Sequence, residues 1–264
     1  IVSVLPTSSY AERIIHKSRK NLEEIVKHFS GYETKLNTIA TIDLNISSGI
    51  SRVSKELFAD VVMVNDSNKI NLIKRIVGDD RAHLMDSCDK TIFFCQVERP
   101  SVNYEKIVVV APVHAELEPT FVSWVERVFR LSHELKIPIE AFMHSNTYER
   151  FLKVALANKI DATSKLIAIE EMQDFFIYAD RKENDFVIAV GARTGSVSYF
   201  SDSDTFLAKV QKAYEDNDWV LVIPGQEKEN LFKEYEDISG NAIGIGVDTL
   251  SRIGKEVGSI FKKD

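Results

Sequence analysis

Lys106-Ile-Val-Val-Val-Ala111-Pro112 is a β-branched run entered through a lysine and stopped by a proline, and residues 120–135 after it carry apolar side chains at helical spacing. An uninterrupted run of this kind fits a strand buried on both faces, and a strand followed by an amphipathic helix is one βα unit. The pattern repeats toward the C-terminus, with strands expected at 139–143, 165–169, 186–190 and 219–223 and helices near 148–157, 172–179 and 205–214. It also repeats toward the N-terminus. Residues 1–5 read as a strand and residues 10–29 as a helix, with Ile14, Ile15, Leu22, Ile25, Val26 and Phe29 on its apolar side and a stop at Gly31. A strand over 35–42, a helix over 46–58, a strand over 60–65, a helix over 70–86 broken near Gly78 and a strand over 91–97 complete that half. Glu98-Arg-Pro-Ser101 reads as the linker between the halves. Alternating elements of these two periods specify an α/β fold with parallel sheets.

The domains expected are therefore 1–99, 104–226 and a tail over 227–264. The second half shows five strands and the first only four. In the tail, Val247, Leu250, Ile253, Val257 and Ile260 recur at helical spacing among glycines, which suits a terminal helix docked on its own chain or on a partner.

Charge and composition narrow the function. The chain has 264 residues, with 33 basic against 40 acidic residues and a net charge of -7, the wrong sign for a protein whose work is neutralising nucleic-acid phosphates. Residues 1–99 carry 14 basic and 13 acidic residues, leaving 19 and 27 for the remainder, so the halves stand at +1 and -8. No apolar run approaches the ~20 residues that span a bilayer, which reads as a soluble chain. The start at Ile1, with no methionine or basic leader, reads as a piece cut from a longer protein. Two cysteines, Cys88 and Cys95, are too few for a disulfide framework and fit a reducing compartment.

Catalytic chemistry finds little purchase. The histidines at 16, 28, 83, 114, 133 and 144 lack metal-ligand spacing, so no metal site is expected. A Gly-x-Ser-x-Gly nucleophile turn is absent, and the pairs Asp79-Asp80 and Asp202-Ser-Asp204 read as solvated caps. The chain is expected not to be an enzyme and to have no catalytic residues.

The passage after the strand at 60–65 is more specific. There the chain resembles the universal stress protein fold, the adenine nucleotide α-hydrolase-like architecture, whose fourth strand leads into a nucleotide loop written Gly-x2-Gly-x9-Gly-Ser/Thr. Asn65 and Asn68 stand at the first two glycines, Gly78 matches the third after a nine-residue spacer, and Asp79 replaces the hydroxyl residue. Glycine lets backbone N–H groups approach a phosphate, whereas a carboxylate there repels it, so this degenerate loop is expected to be empty. In the second half Gly191-Ala-Arg-Thr-Gly-Ser-Val-Ser-Tyr199 follows the fourth strand, and Pro112-Val-His114 lies where the family would place an adenine-contacting Asp. Ala111, Pro112, His114, Gly191, Arg193, Gly195 and Ser196 are the expected ligand-binding residues, for a small anion such as a mononucleotide or cyclic dinucleotide. No cofactor is required, and a nucleotide is the class left open. A turn that merely closes the sheet edge accounts for the same residues.

Two longer passages carry the resemblance further. Tyr104-Glu-Lys-Ile-Val-Val-Val-Ala-Pro-Val-His-Ala-Glu-Leu-Glu-Pro119, and Gly191–Tyr199 closing with Val220-Leu-Val-Ile-Pro-Gly-Gln226, look like the cytosolic C-terminal region of bacterial monovalent cation:proton antiporters; so does Asp43-Leu-Asn-Ile-Ser-Ser-Gly-Ile50. The resemblance covers residues 1–226 and implies two tandem universal-stress-like domains beneath a membrane domain that exchanges Na+ or K+ for protons. The implied function is regulatory, at the cytoplasmic face of the inner membrane, with a stand-alone tandem universal stress protein that binds ATP as the alternative. The partners it implies are the membrane transport domain of the same parent chain, pseudo-dimeric packing of the two halves through 91–97 and 219–223, and a homodimer; nucleic acid is not among them. If the family strand order 3-2-1-4-5 applies, the first domain lacks its first strand and helix. Pairing of 1–5 with 61–64, a strand from a second chain, or residues 242–247 of the tail would then close the gap.

Overall fold

The computed structural model describes residues 1–8, 10–28, 35–65, 81–99 and 103–226. The chain divides into two compact units, Ile1–Glu98 with Val220–Gly225, and Arg99–Trp219.

The first unit opens with β1 (Val2–Pro6), α1 (Ala11–His28) and β2 (Ile39–Asp43), a βαβ unit whose two strands pair in parallel from Val2 opposite Ile39 to Pro6 opposite Asp43. Residues 35–38, expected to extend β2, lie outside it. Helix α1 packs on both strands, yet among the described residues of its expected apolar face only Leu22 is buried, while Ile14 and Ile25 stay exposed. A sheet two strands wide is too narrow to cover an 18-residue helix. Helix α2 (Ile46–Glu56) starts where Asn45 turns its side-chain oxygen back onto Ser48 N–H at 2.8 Å. It presses Gly49 onto Val4, where an added Cβ would stand 2.4 Å from a Val4 methyl. Beyond it, β3 (Val61–Asn65) pairs in parallel with β4 (Thr91–Gln96), and α3 (Arg81–Ser87) precedes β4. Helix α2 is tied to that side by Ser51 Oγ donating to Ser87 O at 2.6 Å. Strand β9 (Trp219–Ile223) follows β4 in the order, and Gly225 N–H after it donates to Thr91 Oγ1 at 3.2 Å.

Strands β1 and β2 form a sheet of their own, and β3 ends the order β3-β4-β9. The expected closure by pairing of 1–5 with 61–64 is thereby excluded. Tail residues 242–247 and the helical stripe after them lie outside the described residues, as does most of the helix expected over 70–86.

The second unit is built on four parallel strands in the order β8-β5-β6-β7: β5 (Lys106–Val110), β6 (Ile139–Met143), β7 (Ser164–Ala168) and β8 (Asp185–Val190). Every residue of β8 and all but the first of β5 are buried, which is why both read as continuous apolar runs. Helices α4 (Phe121–Leu135) and α5 (Ser145–Ala157) contribute Phe121, Trp124, Phe129 and Phe151 to one aromatic cluster, with Phe129 and Phe151 4.4 Å apart. A second cluster gathers Phe142 with Phe175 and Phe176 of the one-turn α6 (Phe175–Tyr178) and Phe206 of α7 (Ser203–Ala213). The helix expected over 172–179 is thus a 3-10 turn over Met172–Asp174 followed by that single α turn.

At the N-terminal ends of these strands the polar groups are engaged with one another. Asp218 accepts from Tyr104 Oη at 2.5 Å and from Arg99 N–H at 2.9 Å, and Asn217 donates to the carbonyls of Lys182, Glu183 and Asp185. Lys106 pairs with Glu140 at 2.6 Å and lies 3.9 Å from Asp185, whose side chain is fully buried. Burial pushes the Asp185 carboxyl above its ordinary range, against the weaker pull of the Lys182 N–H and the Lys106 charge.

Candidate functional site

The opposite, C-terminal ends of β5 and β8 carry the expected ligand residues. These strands are neighbours, Val110 lying opposite Ala189, so the loops that leave them start side by side. After β5 the chain makes a tight turn: Ala115 N–H bonds to Pro112 O, His114 adopts the left-handed conformation at φ 66°, and a 3-10 turn follows over Ala115–Leu117. Ala111 and Pro112 are buried and His114 is exposed. After β8, Gly191 and Arg193 are buried, Gly195 is exposed at φ 84°, and Ser196 N–H closes a turn onto Arg193 O at 3.0 Å. Only glycine takes that φ without cost, so Gly195 sets the bend. Arg193, expected to add a cation to this loop, is 5% exposed and makes an interaction within the protein.

The central contact of the site was not anticipated. Glu118, 7% exposed, accepts two hydrogen bonds from Ser198 through the same oxygen, from the N–H at 3.0 Å and from Oγ at 2.5 Å. It bolts the β5 loop to the β8 loop. Two residues earlier, Glu116 accepts from Thr147 Oγ1 at 2.5 Å, fixing the same turn to the start of α5. Leu117, Val197 and Tyr199, chain neighbours of the bolted pair, stand exposed around it. Two buried hydroxyls on the β8 side, Ser196 Oγ and Ser203 Oγ at the first turn of α7, have no hydrogen-bond partner among the described residues. An orphaned hydroxyl in a buried setting is a place where a ligand atom or water is favoured. The Glu118–Ser198 contact spans 80 residues, and nothing local marks it. The only available signal was a pair of acids in a strand-end turn facing a serine-rich loop.

Two of the histidines take structural places. His144 caps α5 through Nδ1, which accepts Asn146 N–H at 3.2 Å, and His133 Nδ1 lies 2.8 Å from Asp161 O. No group of three metal-ligating side chains occurs among the described residues, and no described helix is long and apolar enough to cross a membrane. Of the degenerate loop in the first unit, Asn65 ends β3 and is exposed, whereas Asn68, Gly78 and Asp79 lie outside the described residues.

No protein-family model and no curated protein matches the chain. Among solved structures, PA1789 of Pseudomonas aeruginosa PAO1, a protein of unknown function, superposes with a TM-score of 0.54 at 11% identity, over 84% of this chain and 81% of its own. A protein described as a candidate universal stress protein of Pseudomonas aeruginosa UCBPP-PA14 gives 0.54 at 12% identity over the same shares. At these identities the likeness concerns the fold, which is α/β with mostly parallel sheets, like that of universal stress proteins.

Proposed function

We propose that this chain is the cytosolic regulatory region of a monovalent cation:proton antiporter, in which a small ligand or a partner alters Na+ or K+/H+ exchange by binding one conformational state better than another. One observation carries the reading. The two separated passages that resemble the antiporter region, Tyr104–Pro119 and Gly191–Tyr199, are the two that the Glu118–Ser198 contact fastens together. A hydrogen-bonded link between two loops at the end of a buried sheet is the kind of contact whose making and breaking a regulatory ligand could bias. The exchange itself belongs to a membrane domain. Reconstituted in liposomes, the parent transporter with and without residues 1–264 should differ in the ligand or pH dependence of exchange, and the isolated chain should show none. Identical exchange profiles would sink the reading.

The fold likeness favours a second reading, a stand-alone tandem universal stress protein that binds ATP. Transmembrane helices encoded in frame before Ile1 would decide for the first. For either, a thermal-shift screen with ATP, AMP, NAD and cyclic dinucleotides identifies the ligand, since saturation at one hundred times the dissociation constant stabilises by about 2.7 kcal/mol. Arg193→Ala is expected to weaken anion binding in calorimetry; an unchanged affinity removes that residue from the site.

A further inference from the structure

We infer that Glu118 is an internal anion that occupies the donors of the β8 loop and so determines which ligands the site accepts. The inference rests on the reading of these loops as the ligand site. Ser198 offers its N–H and its Oγ–H to one point, at 3.0 and 2.5 Å from Glu118 Oε1. Convergent backbone and hydroxyl donors of this kind suit a phosphate or carboxylate oxygen. In this chain the oxygen is supplied from within. Glu118 is 7% and Ser198 3% exposed, so the pair is shielded from water and the donors are fully used. The second carboxylate of the same turn, Glu116, accepts a hydrogen bond from Thr147 Oγ1 at 2.5 Å.

A phosphate-bearing ligand entering beside Gly191–Ser196 therefore meets a carboxylate where it would seek donors. It binds only if Glu118 lets go of Ser198. Release opens the bolt between the β5 and β8 loops, and the exposed Leu117, Val197 and Tyr199 beside it move with those loops. A neutral nucleoside needs neither the donors nor the release. Glu118 thus selects against phosphates in the closed state and couples phosphate binding to loop opening. Ser196 Oγ, buried and without a hydrogen-bond partner among the described residues, is a hydroxyl of the same loop that an incoming oxygen can satisfy.

The test is calorimetry on the whole chain with inorganic phosphate, AMP, ATP and adenosine, for the native protein, Glu118→Gln and Glu118→Ala. Glutamine keeps an oxygen for Ser198 and removes the charge, so it guards against a variant that fails to fold. Both substitutions should raise affinity for AMP and ATP at least tenfold relative to adenosine. A loop fastener without a ligand role would lower the melting temperature and leave that ratio unchanged, which overturns the inference while leaving the site. If adenosine, AMP and ATP bind to none of the three folded proteins, the site reading falls and the inference with it.

Discussion

The two units are written in the same alphabet of Val- and Ile-rich strands and amphipathic helices, yet they bury it to different depths. In β5 and β8 nearly every side chain is sealed from water; in β1 and β2 none is. Their sequences do not explain this, because Ile-Val-Ser-Val-Leu is as apolar a strand as many. Neighbours explain it. β5 lies between β6 and β8, whereas β1 has, among the described residues, a partner on one side only. Burial belongs to a strand's place in a sheet, and composition merely permits it.

The contrast can be broken most directly by deleting matched side chains. Phe175→Ala, at the centre of an aromatic cluster, should cost about 3–5 kcal/mol in denaturant unfolding. Val109→Ala in β5 should cost about 2 kcal/mol, and Val4→Ala in β1 under about 1 kcal/mol, at roughly 0.8 kcal/mol per buried methylene. Equal losses for the two valines would mean that β1 is as well covered as β5.

The first unit is also tight at Gly225, where the neighbours are backbone atoms. A Cβ on Gly225 would stand 2.8 Å from Thr91 N and 2.9 Å from Asp89 O, both backbone atoms that cannot swing away. Gly225→Ala should therefore destabilise by about 1–3 kcal/mol, with faster amide exchange in β4 as the local signature. Unaltered exchange would show that β4 does not depend on this contact.

Asp185 sharpens the comparison through pH. Its folded-state pKa is raised, chiefly by burial, above the unfolded value of 3.8. Between the two values the folded chain holds a proton that the unfolded chain has lost, so this group's contribution to stability falls as pH rises through that window. Asp185→Asn, which can still accept from Lys182 N–H, should melt like the native protein below pH ~4 and above it at neutral pH. A constant difference across the pH range would assign the effect to packing instead. The smallest change is expected at Phe58, exposed and left-handed at φ 50°: Phe58→Gly should stabilise by about 0.5–1 kcal/mol in thermal unfolding.

Much of the fold was legible in the chain because buried parallel strands leave unbroken apolar runs. The strand at 219–223, Trp-Val-Leu-Val-Ile, falls where expected to the residue, and so does the strand at 139–143, whose run is interrupted by Glu140. Legibility fails where tertiary contacts decide. Residues 172–179 have helical spacing but only one α turn, the stretch having begun in the 3-10 turn whose capping box joins Glu171 and Asp174. In the site, the ends of β5 and β8 were readable as loop positions. The burial of Arg193 and the Glu118–Ser198 contact were not, since both are set by which loops the sheet order brings side by side.

The outer edge of β3 has a practical consequence. Val61-Val-Met-Val contains no charge, proline or glycine, and among the described residues it hydrogen-bonds on one side only. Such an edge is a template on which a strand from another molecule can grow. Concentrated solutions of this chain should accordingly thicken into β-rich aggregates. A lysine at Met63, 73% exposed, is the change that should lengthen its storage life.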